Sequence, residues 1–224
     1  MVTRERRPRT ETPEPSEENT RDKILAAAGE VFAEHGFEGA TIRMITERAE
    51  VNVAAVNYHF RDKAELYNRV MMDACSARAA WHDVMAEPTN SAEERLRSLI
   101  AHFLEYMLSP NRPAWKRRLM AREMANPTTA LDELVEKNIR PLRDEFLMPT
   151  LRELTAGRFS RRQLSLLGAS VMGQCLYFHL SRPIIERLNP DFKIGQAEIE
   201  EITEHITRFS LAAIADLTRQ ARRV

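Results

Sequence analysis

Cysteine and glycine are scarce in this chain, and neither sign of charge is in surplus. The two cysteines, Cys75 and Cys175, lie a hundred residues apart with no C-x-x-C, so neither a disulfide framework nor a zinc site is indicated. Seven glycines in 224 residues supply too few turn-formers for a strand-rich sandwich or barrel, and the 11 prolines punctuate apolar-periodic stretches. Lysine plus arginine equals aspartate plus glutamate, 33 against 33, so bulk charge implies no affinity for nucleic acid and any such signal must be local. Residues 1–18 lack the apolar stretch of a secretory signal, and the expected location is the cytoplasm. The most apolar run, residues 164–180, is interrupted by Ser165, Ser170, Gln174 and His179, and reads as a buried helix with no membrane partner.

What the chain does have is helical periodicity, and the expected fold class is all-α with about nine helices. Residues 1–19 hold Arg4, Arg6, Arg7 and Arg9, then Pro13 and Pro15, without apolar repeat, and read as a basic, disordered arm. From Thr20, Ile24, Ala27, Ala28, Val31 and Phe32 share one face of a first helix that ends at Gly36. Thr41 caps a second helix bearing Ile42, Ile45 and Ala49, and Asn52 caps a third with Val53, Val56 and Phe60 on its inner face. Asp62 with Glu65 opens a fourth that can run to about Met85, before Pro88. This arrangement predicts a small three-helix domain over residues 20–66, a linking helix to about residue 86, and a larger helical bundle over residues 80–222.

In that bundle, Ser91 with Glu94 caps a helix carrying Leu96, Leu99, Ile100, Phe103, Leu104 and Met107. A sixth helix spans about residues 113–125. A seventh starts with Asn126 as cap and Pro127 in its first turn, closes at Gly157, and contains Pro141 and Pro149, each expected to bend or break it. Ser160 with Gln163 caps an eighth that reaches about Arg182, and the last covers about residues 196–222.

The second and third predicted helices with their short connection have the size of a helix-turn-helix, whose second helix enters the DNA major groove. The third helix holds no acidic residue, although residues 20–66 carry six basic and eight acidic side chains. Asn52, Asn57, Tyr58 and His59 point away from its apolar stripe, and Ala54 and Ala55 are small enough for close approach to base edges. Periodicity alone also fits a three-helix bundle that merely packs.

The stretch ILAAAGEVFAEHGFEGATIRMITERAEV followed by NVAAVNYHFRDKAEL resembles the TetR family of bacterial transcriptional regulators. The resemblance implies phosphate contacts from Thr41, Arg43, Tyr58, His59 and Lys63, and places Asn52, Ala54, Ala55 and Asn57 nearest the bases. Glu50 departs from the family pattern, which usually has glycine in the turn. WKRRLMAREMANPTTALDELVEKNIRPL and MGQCLYFHLSRPII further resemble the CecR (YbiH) branch. That branch implies a repressor whose hold on a double-stranded DNA operator falls when a small-molecule effector enters the C-terminal bundle. A regulator of the same fold activated or co-repressed by its ligand, or a helical protein-binding adaptor, is the alternative.

For the effector pocket, Phe103, Met107, Trp115, Leu119, Met124, Met172 and Tyr177 fit an apolar lining, with His102, Arg122 and Glu123 as polar contacts. The same spacing fits plain core, and an Arg–Glu pair there can be structural. Gly168, Ala169, Ser170 and Gly173 allow close approach of a second copy, and a two-fold homodimer is what paired half-sites demand. There is no H-E-x-x-H, no E-x-x-H and no glycine-rich phosphate loop, and Gly168-Ala169-Ser170 lacks the setting of a nucleophile elbow. No catalytic residue, metal or cofactor is expected, and the protein is not read as an enzyme.

Overall fold

The computed structural model describes residues 17–75, 91–110 and 112–222. Among these residues the regular structure is helical throughout. The chain divides into two compact units, residues 1–70 and 71–224. The basic arm and the stretch from residue 76 to Pro88, where the fourth helix was expected to run to Met85, lie outside the described residues.

In the first unit, α1 (Glu17–Gly39), α2 (Ile42–Ala49), α3 (Val53–His59) and the start of α4 (Lys63–Ala74) pack around a shared core. α1 begins three residues ahead of the Thr20 start set by periodicity. Ile24, Ala28, Val31 and Phe32 are all inaccessible and form the buried stripe expected from their spacing. Gly36 sits at φ 73°, ψ 177°, a conformation open essentially to glycine alone, and there the helical path breaks. The chain then turns through Phe37, whose ring meets Tyr67 edge-on at 5.1 Å, while Phe32 meets the same ring at 4.8 Å.

The second unit is centred on α5 (Ala92–Leu108), opened by the Ser91–Glu94 capping box. Its Leu96, Ile100 and Leu104 are fully buried among Leu147 and Leu151, Leu164 and Val171, and Ile199, Ile202 and Ile206 of α11 (Gln196–Gln220). Each such side chain contributes on the order of 2 kcal/mol of apolar burial. Arg97 of α5 also pairs with Glu200 and Glu204 of α11. These carboxylates are solvent-accessible, so the pairs add little beside the core.

Between α5 and α11 the chain forms α6 (Ala114–Ala125), α7 (Thr129–Leu134), α8 (Met148–Leu154), α9 (Arg161–Leu180) and α10 (Arg182–Leu188). Asn126 is not the cap predicted for the seventh helix. It ends α6, and Thr128 caps α7 by accepting the Ala130 N–H. Pro141 and Pro149 neither break nor sharply end the path. The turns before them widen into π-helical segments, Val135–Ile139 and Leu142–Leu147. The Arg140 N–H reaches the Val135 carbonyl and the Met148 N–H the Arg143 carbonyl, each five residues back. One extra residue per turn moves the carbonyl that the proline ring would otherwise strike. Gly157 closes this path at φ 69°, donating to the Arg152 carbonyl at 2.8 Å.

The eighth predicted helix stops at Ser181 rather than at Arg182, and Pro183 opens α10 in its first turn, where an N–H is dispensable. Gly168 corrects another expectation. A Cβ there would meet Met148 Cε at 3.0 Å and Leu147 Cδ2 at 3.1 Å, so this glycine serves packing of α9 on α8 within one chain. Gly168→Leu is expected to lower unfolding free energy by about 1–3 kcal/mol in denaturant titration. No loss of stability would mean that α8 and α9 do not pack this closely.

Candidate nucleic-acid interface

α2 and α3 are held by complementary local devices. The Thr41 hydroxyl accepts the Met44 N–H at 3.2 Å and starts α2. Glu50 ends it in the left-handed region at φ 54°, ψ 42°, and the Val51 N–H reaches back to the Thr46 carbonyl at 3.1 Å. The turn thus keeps its glycine geometry without the glycine, at a cost of about 1–2 kcal/mol. Asn52 Oδ1 accepts the Ala54 N–H and caps α3. Val56 at 1% and Phe60 at 3% exposure anchor α3 from below.

The opposite face is open. Asn52, Val53, Ala54, Asn57 and Tyr58 are exposed, and Ala55 and His59 are half-buried. The Tyr58 ring, 72% exposed, stands edge-on to His59 at 5.1 Å. Val53 was assigned to the inner face, yet it is 50% exposed at the first position of α3. Helical phase explains this. A first-turn residue three places before Val56 lies over the turn that enters the helix, where nothing covers it. Its methyl groups join those of Ala54 on a surface suited to thymine methyls.

Thr41 and Arg43 are exposed at the start of α2. Arg43 donates to Glu47 Oε1 at 2.7 Å, but both side chains are largely in solvent, and the guanidinium keeps donors for an incoming phosphate. Arg61, which sequence reasoning passed over, is 85% exposed just beyond Phe60. A lone arginine in a turn carried no periodic signal.

Lys63 stands differently from the role implied by resemblance. Its ammonium donates to the carbonyls of Phe37 at 2.9 Å and Ala40 at 3.1 Å and lies 4.6 Å from the Phe37 ring centroid. Two of its three N–H groups therefore satisfy the end of α1. Helix α4 is instead opened by Asp62, whose carboxylate accepts the Glu65 N–H at 2.8 Å. That bond holds the Asp62 pKa below its ordinary value.

The residues named for an effector pocket differ in burial. Trp115, Leu119 and Glu123 form the buried face of α6, and Phe103, Met107 and Met172 are half-buried against the core. Met124 and Tyr177 are 50% and 52% exposed, so neither walls an enclosed cavity in this chain. Arg122 is exposed while Glu123 is buried, and the two are not a buried pair. Glu123 accepts the Thr128 N–H at 2.7 Å and its hydroxyl at 2.9 Å, organising the α6–α7 turn. His102 Nδ1 sits 2.8 Å from the Ser98 carbonyl of its own helix. An open groove of about 560 Å³ does lie beside the π-helical path, lined by Asp144, Met148, Pro149, Arg152, Glu153, Ala156 and Gly157, none of which the sequence marks as a pocket residue.

Two capped helices joined by a left-handed turn, the second exposed and without acidic residues, form a helix-turn-helix, the motif class of many DNA-binding regulators. Residues 24–70 match the family of bacterial regulatory proteins, tetR family, and residues 92–214 match the family described as HTH-type transcriptional dual regulator CecR, C-terminal domain. The chain belongs to the TetR family of transcriptional regulators, with a C-terminal domain of CecR type.

The HTH-type transcriptional regulator YttP of Bacillus subtilis is 28% identical over 119 residues, 52% of this chain and 56% of YttP. The repressor AcnR of Corynebacterium diphtheriae is 37% identical over 82 residues, 37% of this chain and 40% of AcnR. The chain thus spans about half the length of these curated relatives. The fold is shared with the transcriptional regulator FadR of Bacillus subtilis in complex with stearoyl-CoA, at TM-score 0.62 and 12% identity, covering 85% of this chain and 97% of that one. Among the described residues no helix is long and apolar enough to cross a membrane.

Glu50→Gly is expected to raise the stability of the first unit by up to about 1 kcal/mol, because relief of the left-handed strain exceeds the added chain entropy. It should also tighten DNA binding by removing a carboxylate from the turn. A fall in melting temperature would show that Glu50 is held there by contacts worth more than the strain.

Proposed function

We propose that this protein is a homodimeric repressor that holds a palindromic operator through two copies of the helix-turn-helix and releases it when a small-molecule effector binds the C-terminal unit in the cytoplasm. The observation that carries this reading is the exposed, acid-free face of α3, where Asn52, Val53, Ala54 and Asn57 stand beside Tyr58 on a helix pinned from below by Val56 and Phe60. Asn57 offers the bidentate amide that suits adenine, and Val53 and Ala54 offer methyl contacts. Thr41, Arg43, Arg61, Tyr58 and His59 supply backbone contacts around that core. Lys63 has at most one N–H left for a phosphate and acts first as a clamp on the end of α1.

Support for the dimer comes from the outer surfaces of α9 and α11. Leu166, Ala169, Ser170, Gly173, Tyr177 and Leu180 recur at helical spacing and are exposed along α9, while Phe209 and Leu217 are exposed on α11. Gln174 Nε2 donates to Ser210 Oγ at 3.3 Å and fixes the two helices side by side. A pair of helices from each protomer makes a four-helix interface, and Gly173, with open space above it, admits the closest approach. AcnR is a repressor and FadR was solved with stearoyl-CoA, which supports repression and effector binding on this fold. A coupling of about 1–3 kcal/mol between effector and operator changes occupancy by about 5–150-fold.

Salt titration of binding to a selected duplex tests the DNA reading. Arg43→Ala should make the slope of log affinity against log salt shallower by about one for each reading head, and an unchanged slope would remove Arg43 from the phosphate contacts. In sedimentation, Gly173→Leu should shift the protein toward monomer while leaving its helix content intact. A dimer as tight as wild type would place the interface elsewhere.

A further inference from the structure

The first helix brings an arginine to the far end of α3. Arg21 of α1 stands with its guanidinium carbon 5.8 Å from the centre of the Phe60 ring, within the range of a cation–π contact. Phe60 closes α3 and is buried, while Arg21, lying over it, is half-buried. The His59 ring lies 6.3 Å from Phe60 and the Tyr58 ring 5.1 Å from His59, centroid to centroid. Arg21 is therefore one end of a run of side chains whose other end is the open Tyr58 ring. Arg61, largely in solvent, follows Phe60 directly.

The ring contact leaves the donors of Arg21 unused. A guanidinium meets an aromatic ring with its face, and its five N–H groups lie in its plane and point away from the contact. Among the described residues none of these N–H groups has an acceptor and no carboxylate pairs with Arg21. Other arginines of this unit are paired, Arg43 with Glu47 at 2.7 Å and Arg48 with Glu34 at 2.9 Å. The carboxylates that follow Phe60 are engaged elsewhere. Asp62 accepts the Glu65 N–H at 2.8 Å and lies 3.4 Å from Arg61 Nε, while Glu65 accepts the Arg61 N–H at 3.1 Å. Asp22, the sequence neighbour of Arg21, is turned about 100° round the helix from it. An arginine already ordered by stacking has less side-chain freedom left to lose when an anion binds.

The length of α3 says which anion that is. Seven residues span about 10 Å, close to the width of a major groove at about 12 Å. With Asn52, Val53 and Ala54 at the base edges, the other end of α3 comes up at the flanking sugar-phosphate backbone. We propose that Arg21 is a preset phosphate contact, held by Phe60 where a backbone phosphate beside Tyr58 and His59 completes its N–H groups. The proposal rests on the regulatory reading above and extends the DNA interface to α1, outside the helix-turn-helix. Periodicity did not mark Arg21, because it lies off the buried stripe of α1 and its ring partner is two helices further along the chain.

Salt titration of binding to a duplex selected from a random pool, and to a duplex of unrelated sequence, tests this. Arg21→Met keeps an apolar stem over the Phe60 ring but has no donor and no charge. It should weaken both duplexes by the same factor, about ten-fold at roughly 0.1 M salt, and make the slope of log affinity against log salt shallower by about one for each reading head. Arg21→Lys should keep the wild-type slope, and both variants should melt close to the wild-type temperature. The proposal is overturned by a wild-type slope in Arg21→Met, by a loss confined to the selected duplex, or by both variants melting well below wild type, which would leave Arg21 as a brace for the ring. If Arg43→Ala flattens the slope and Arg21→Met does not, Arg21 alone leaves the interface. A wild type that binds neither duplex sinks the regulatory reading itself.

Discussion

Seven residues cannot hold themselves as a helix in water, and the proposed reading of DNA depends on a helix of that length. α3 must bury enough to be rigid and leave enough bare to meet a groove. The chain meets both demands at its ends. Asn52 satisfies an early N–H, Phe60 is driven into the core immediately after the last turn, and Val56 between them makes the only fully buried contact within the helix. Every other side chain of α3 is at least partly open. The strain at Glu50 belongs to the same solution, since the left-handed turn aims α3 away from α2 and a right-handed residue there would continue the first helix.

Support from below has its own chain of dependence. Phe32 and Phe37 close on the Tyr67 ring, and Lys63 ties the carbonyls of Phe37 and Ala40, where Gly36 has broken the helical path of α1. One ammonium thus satisfies two backbone acceptors that would otherwise depend on solvent at the junction of α1 and α2. A side chain fixed in this way is a poor general-purpose phosphate ligand, because drawing it outward exposes those acceptors.

Much of the framework was legible because it is written in local chemistry. Thr41, Asn52, Ser91 with Glu94, and Ser160 with Gln163 cap helices where their spacing puts them, and the buried stripe of α1 follows its period. The failures share a different cause. Periodicity identifies a face but not what lies opposite it, so Val53 was placed inside although nothing covers the first turn of α3, and Gly168 was placed at a subunit contact although α8 fills the space above it. A missing bond predicts a bend or a break at Pro141 and Pro149, whereas a widened turn moves the obstructing carbonyl and lets the path continue. Residue type likewise does not show exposure, and Met124 and Tyr177, apolar by type, are half open to solvent.

Helix ends also decide where the second unit can rearrange. A buried core such as that around Ile100 and Leu104 has one good packing and little capacity to choose another. The terminal carbonyls of α4 and α5 are different, because their acceptors are met by side chains that can rotate. Tyr106, Arg112, Asn138 and Lys116 all converge on Asp73, Ala74 and Cys75. Competition at such a junction changes the restraint on α4 without disturbing the apolar interior. Rearrangement is therefore expected where polar side chains terminate helices rather than where hydrophobic ones fill the bundle, and Arg112 bonds carbonyls near the ends of both α4 and α5.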